Sequence, residues 1–294
     1  MPNNFSRLSA ASALALLFSG CAAVPLATDD TPGPWYQAGQ AELQRMLSEQ
    51  PNTARARNII LFVGDGMGIS TVTAARIHDG QARGGSGEEN FLSFEQFPAL
   101  ALSKTYNTNQ QTPDSAGTMT AIMTGVKTRA GLISVSEQSL RADCRSSLGN
   151  ALPTFLQQAE QRGMATGIVT TTRITHATPA ATYSHTPERD WEGDAVMPAE
   201  ALQAGCADIA SQLIDFRHGD GLEVAMGGGR QFFIPEDGED PQDGRPGTRR
   251  DGRDLTREWT GKYPDALFIS SREELEAVDP AETSHLLGLF SRSH

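Results

Sequence analysis

Residues 58–68, NIILFVGDGMG, constrain this chain more than any other stretch. The five apolar residues 59–63 are too few for an isolated helix. Their branched and aromatic side chains suit a strand buried on both faces. Gly64, Gly66 and Gly68 then give the backbone freedom of a strand-to-helix turn and let a ligand approach closely. Asp65 is thereby expected at the carboxyl end of a strand, where open α/β sheets keep their sites.

The rest of the chain repeats the alternation that such a sheet needs. Helical spacing covers 35–50, with Leu43 and Leu47 on one face that is expected to pack as an N-terminal arm, and Pro51 ends it. A helix is expected over 69–81, a short one over 91–97, and a second strand over 100–106. An amphipathic helix over 148–162, closed by Gly163, leads to a strand at 165–171. A helix at 198–216 precedes a short strand at 223–226, and 235–253 reads as a long surface loop. Helix, strand, helix and strand follow at 255–260, 266–270, 271–277 and 285–290. The pattern predicts one α/β domain, with a mostly parallel central sheet between two helical layers. The chain stops at Ser291-Arg292-Ser293-His294, directly after an expected core strand, which suggests a fragment whose C-terminal part is missing.

With 294 residues, 38% of them hydrophobic, the chain has enough apolar surface for a sizeable core. Its net charge of -12 argues against nucleic acid or another polyanion as the main partner. Phosphate is still an admissible ligand where metal ions or a local Arg invert the field. The first 21 residues read as an export signal: Arg7 precedes an apolar run over 11–18, too short to span a bilayer. Residues 17–21, LFSGC, resemble a bacterial lipobox, which would leave a lipid-modified Cys21 as membrane anchor on a periplasmic or cell-envelope lipoprotein. An ordinary signal cut slightly later is the alternative, and 22–34 then serves as a tether. Of the remaining thiols, Cys144 and Cys206 read as a disulfide in an exported protein, although two free thiols stay open.

Three clusters carry residue types suited to chemistry. Asp114-Ser115 stands at an expected helix start, where the Ser115 hydroxyl lies in a positive field. No His base is near it in sequence, so a metal ion is the natural activator. Asp65 is a hard oxygen ligand for such a metal. The polar run holding His176 and Thr178 is followed by Arg189, which can fork two hydrogen bonds onto a phosphate or sulfate. Singly, each has a plainer reading: a glycine turn, a helix cap, a hydrogen-bonded loop histidine, a solvated arginine.

Taken in order, GDGMG at 64–68, PDSAG at 113–117, HATPA at 176–180, TPERDW at 186–191 and GGGR at 227–230 resemble the alkaline phosphatase family over roughly 58–290. The likeness is nearer to the animal and marine branch, because His176 stands where some bacterial relatives carry Asp, and Cys144 and Cys206 fall where that branch has a disulfide.

The resemblance implies hydrolysis of small phosphate monoesters through a phosphoserine on Ser115, with two zinc ions and one magnesium. Asp65 would bridge a zinc and the magnesium, Ser115 would be activated on zinc, and Thr178 would join the magnesium shell. Arg189, oriented by Asp114, would clamp the phosphate, with His176 behind the magnesium. A homodimer is implied as well. A peripheral calcium site is a further implication: Glu239 and Phe290 lie near its ligand positions, although Ser291 replaces an acidic one. The family's remaining metal ligands, a Glu, Asp and His set in its C-terminal half, have no counterpart in this sequence. Two alternatives therefore stand beside the phosphatase: a catalytically silent, lipid-anchored remnant, and a phosphodiesterase or sulfatase of the same superfamily.

Overall fold

The structure, a computed structural model, describes residues 33–50 and 52–294. The expected signal, Cys21 and all but the last two residues of the tether lie outside the described residues. Four strands, β1 (Gly167–Arg173), β2 (Val224–Gly228), β3 (Ala266–Ile269) and β4 (His285–Ser291), form a wholly parallel sheet in the order β1-β2-β4-β3. Ile168 lies beside Ala225 and Ala225 beside Leu287, which aligns small and branched side chains across the central strands. β4 is buried over its first five residues, the near-continuous burial of a strand covered on both faces. The expected parallel α/β architecture is thus present.

Helices α1 (Pro34–Ser48), α2 (Ile69–Ala82), α3 (Ser115–Thr124), α4 (Cys144–Ser147) and α5 (Phe155–Glu160) precede β1, while α6 (Ala177–Ala180), α7 (Ala199–Gln203), α8 (Ile209–Ile214), α9 (Leu255–Lys262) and α10 (Arg272–Glu276) connect the strands. Their starts are written in the sequence. Asp114, Asp143, Asp208 and Asp254 cap α3, α4, α8 and α9, while Thr154 with Gln157 and Ser271 with Glu274 form capping boxes on α5 and α10. The core gathers Trp259, Leu255, Leu213, Ile209, Phe233 and Leu287, all fully buried, where α8 and α9 pack together and α9 lies on β3. Arg249 is buried among them, its guanidinium forked onto Asp208 at 3.0 and 3.1 Å. Cys144 and Cys206 are disulfide-bonded with Cα atoms 5.9 Å apart, beside buried Trp191 and Met197.

The chain divides into two units, Met1–Ile59 with Phe97–Ala99, and Ile60–Gln96 with Leu100–His294. In the first, α1 has the expected helical form but no buried residue: Leu43 and Leu47 are exposed, and Glu42 and Glu49 pair with Arg45. The second contains the sheet and every residue of the candidate site.

Several expected elements differ. Residues 59–63 and 100–106 are not strands: Ile60, Phe62, Leu100 and Leu102 are 79%, 88%, 92% and 84% exposed, and neither segment joins a ladder. An apolar run becomes a buried strand only where a neighbour supplies its hydrogen bonds, and the described sheet ends at β1 and β3. The expected helix at 148–162 begins only at Phe155, because Thr154 caps it and Pro153 precedes. That at 198–216 is two helices, interrupted at Gly205, whose φ of 92° is open to glycine. The 91–97 helix is a single 3₁₀ turn, Ser93–Gln96. β1 runs two residues further than expected and takes in part of the hydroxyl-rich run; Thr170 and Thr172 hydrogen-bond each other at 2.9 Å along this edge strand.

Candidate active site

Four pieces of chain meet beyond the carboxyl end of β1: the glycine turn, the start of α3, the start of α6 and the 186–191 loop. The turn at Asp65-Gly66 is closed by a 3.3 Å bond from the Met67 amide to the Gly64 carbonyl, and Gly66 takes φ 69°. Asp65 thereby leads into α2 through Gly68, as the sequence implies, but from an extended segment rather than a strand. Its Oδ2 accepts from the Thr178 hydroxyl at 2.8 Å. Two residues 113 positions apart are so joined as a pair of oxygen donors.

Asp114 caps α3 and does more than cap. Oδ1 accepts from the Gly117 amide at 3.1 Å and from Asn107 Nδ2 at 2.8 Å; Oδ2 accepts from the Gly131 amide at 2.8 Å and from Arg189 Nη1 at 3.2 Å. Burial opposes ionisation of this carboxyl, yet the Gly117 and Gly131 amides, Asn107 and Arg189 together outweigh it and hold the group below the usual Asp value. Ser115 is the first residue of the helix and half-buried, and its hydroxyl has no hydrogen-bond partner among the described residues. It sits in the positive field of a ten-residue helix with its proton uncommitted.

Arg189 is gripped from two sides. Nη1 reaches Asp114, Nη2 lies 3.3 Å from His176 Nε2, and its own amide donates to the Gly131 carbonyl at 2.9 Å. A guanidinium only donates, so Nε2 must present a lone pair and the neutral ring carries its proton on Nδ1. That Nδ1 is buried without a partner. Burial, then the positive charges of Arg189 and Arg173, keep the His176 pKa below its ordinary value, so the ring is neutral at neutral pH. Each Nη of Arg189 spends one N–H on the protein and keeps another, the pair a tetrahedral oxyanion can take in fork geometry. Arg173 nearby is already committed, donating twice to Glu192 at 2.7 Å, and Thr175 completes that carboxylate at 2.6 Å.

The residues singled out in the sequence therefore fall into two linked groups. Asp114, Ser115, Arg189 and His176 form one, Asp65 and Thr178 the other, and His176, the N-cap of α6, and Thr178 within it sit where α6 packs on α3. Asn107 and the Gly131 amide were not legible: neither belongs to a chemical motif, and both act on Asp114 from other loops. One indirect signal was present in Gly117, an otherwise unexplained glycine inside a helix. A Cβ there would lie 2.5 Å from Asn107 Oδ1. Glu239, by contrast, is exposed and bridged to Pro246 in its loop. The one carboxylate grouping with metal-ligand spacing among the described residues is elsewhere, at Glu160, Asp220 and Glu223.

The alkaline phosphatase family model matches residues 56–294. The chain is similar to the alkaline phosphatase of Gadus morhua, 46% identical over 266 residues that cover 88% of this chain and 55% of that one. It is similar to the tissue-nonspecific alkaline phosphatase isozyme of Homo sapiens, 46% identical over 268 residues, 88% of this chain and 51% of that one. Among solved structures it is similar to the cold-active alkaline phosphatase of a psychrophilic Shewanella, with a TM-score of 0.55 and 26% identity over 79% of this chain and 45% of that chain. The chain spans about half the length of the curated relatives it matches.

Proposed function

The chain belongs to the alkaline phosphatase family, and from that premise we propose that it is the part of a phosphate monoester hydrolase that holds the nucleophile, Ser115, and the phosphate clamp, Arg189. The observation supporting this most strongly is the setting of Arg189, fixed by Asp114 and His176 beside an unpartnered serine hydroxyl at a helix N-terminus. Phosphoryl transfer asks for positioning and charge stabilisation, and this arrangement offers both. Arg189 binds two oxygens of the phosphate and draws the phosphorus towards Ser115. As the Ser115 Oγ–P bond forms, the bond from phosphorus to the leaving oxygen breaks, the hydroxyl proton passes through solvent to that oxygen, and charge on the equatorial oxygens falls on the guanidinium and the first amides of α3. Water then attacks the phosphoserine from the side the leaving group vacated, releasing phosphate and restoring the hydroxyl.

The family implies zinc and magnesium, and the residues fit the two metals unequally. Asp65 and Thr178, with Ser115, are oxygen donors of the kind magnesium takes, and Asp65 and Thr178 are already within 2.8 Å. Zinc prefers nitrogen and sulfur, and no three His, Cys, Asp or Glu side chains converge at Asp65 among the described residues. A divalent cation bound there would supply Lewis acidity, lowering the pKa of a hydroxyl it contacts. We propose Asp65, Thr178 and Ser115 as holders of such an ion and derive no step through zinc. Export is proposed with the activity, supported by the Cys144–Cys206 disulfide, which persists in oxidising compartments.

The test is hydrolysis of a chromogenic phosphate monoester by the full chain with zinc and magnesium supplied, beside the matching diester and sulfate ester. Monoester turnover abolished by Ser115→Ala and by a chelator supports the reading. Faster turnover of the diester or the sulfate, or monoester turnover unaffected by Ser115→Ala, contradicts it.

A further inference from the structure

Three carboxylates converge at the end of the sheet opposite Ser115, before the amino ends of β1 and β2. Glu160 is the last residue of α5, Asp220 lies in the turn before β2, and Glu223 is the residue just before the strand. One oxygen from each lies within 4.8 Å of the others. Glu160 is only 1% exposed, yet while its Oε1 accepts from the Thr166 hydroxyl at 2.5 Å, its Oε2 has no hydrogen-bond partner. The direction of that orphan atom is fixed. A Cβ on Gly219 would sit 2.4 Å from it, so Oε2 faces the turn that carries Asp220. Glu223 is oriented by the Thr166 amide, which donates to its Oε2 at 2.6 Å.

A buried carboxylate oxygen aimed at two further carboxylates is costly unless something positive stands among them. Burial, and then the like charges of Glu223 and Asp220, push the Glu160 carboxyl up to about 6, against the Thr166 hydroxyl and the Gly221 amide, which favour its charged form. The donors are all oxygens, which selects a hard cation. Calcium binds oxygen at about 2.3–2.6 Å, so ligands on opposite sides of one ion stand about 5 Å apart, and the observed grouping falls within that span. Magnesium demands a near-ideal octahedron and parts with water reluctantly, which a mixed set of one buried, one half-buried and one exposed carboxylate serves less well. Asp220 is exposed and gives the ion a way in.

We propose that Glu160, Asp220 and Glu223 form a calcium site that clips the end of α5 to the turn before β2. It shares no residue with the calcium position that family resemblance places at Glu239 and Phe290. Tyr263 serves as a reporter, since a Cβ on Gly221 would lie 2.2 Å from its hydroxyl. The full chain, stripped by a chelator, is titrated with terbium under tyrosine excitation, and calcium is then added as competitor. Saturable emission displaced by calcium is expected. Asp220→Asn, at an exposed position, and Glu223→Gln should each weaken calcium competition at least about tenfold, the scale on which even supporting groups of metal sites act. Asp65→Asn should leave it unchanged. No emission, emission that calcium does not displace, emission that survives both carboxylate variants, or emission lost in Asp65→Asn would each overturn the site.

Discussion

Arg189 and Asp114, 75 residues apart, meet through a 3.2 Å bond from Nη1 to the same Oδ2 that accepts the Gly131 amide at 2.8 Å. The carboxylate therefore joins three loops and a helix start at one point. Orientation of Arg189 and integrity of the fold are coupled through it.

Asp114→Ala is expected to destabilise the chain by about 2–4 kcal/mol: roughly 1 for the lost cap of α3 and about 1–3 for stranding the Gly131 amide. Arg189→Ala removes one partner of a half-buried carboxylate that keeps three others, and should cost less. Urea midpoints with unchanged m-values measure the difference. Equal losses in the two variants would mean that the ion pair, rather than the amides, holds this junction.

Arg249 is fully buried and grips Asp208 with two bonds while also reaching Asp251. Arg249→Met should cost about 3–5 kcal/mol, because it leaves Asp208 charged and unpaired in the core. The cluster should also fail in acid. Burial raises the Asp251 pKa, but Arg249 and the Arg253 amide outweigh it and leave the carboxyl below its ordinary value of 3.8. Between the folded value and 3.8 the unfolded chain binds more protons, so stability rises with pH through that window. The contribution is complete above 3.8 and is lost as pH falls through the folded value. Asp251→Asn should flatten this part of the stability curve, read by denaturation between pH 2 and 5.

Reduction of Cys144–Cys206, or Cys144→Ser with Cys206→Ser, frees a loop of 62 residues. The chain-entropy model gives a loss of about 4 kcal/mol. Thermal melting with and without reductant measures it, and the double-serine variant should not respond to reductant.

Local chemistry was the legible part of this sequence. Asp114 as a cap, the glycine turn at Asp65 and the parallel strands at 223–226 and 285–290 all depend on residues within a few positions of each other. Residues 59–63 were misread for a physical reason: five apolar residues state that a strand is possible, whereas its existence depends on a neighbour to pair with. The 198–216 helix failed more simply, at a glycine that periodicity alone overlooks. In the site, reading the motifs together set Asp65 and Thr178 around one metal and Arg189 against Asp114, but not the contact of Arg189 with His176, which was placed behind the magnesium. Asn107 stayed hidden, since a single amide in a polar loop carries no pattern until Gly117 is seen to make room for it.

Ser115 is proposed to take the phosphoryl group. Incubating the metal-supplied chain with a phosphate monoester, quenching in acid and mapping phosphorylated peptides by mass spectrometry tests it most directly. One phosphate on the peptide that holds Ser115, absent in Ser115→Ala and reduced in Arg189→Ala, is the predicted result. Phosphate on a different residue, or turnover with Ser115 never modified, would contradict the assignment.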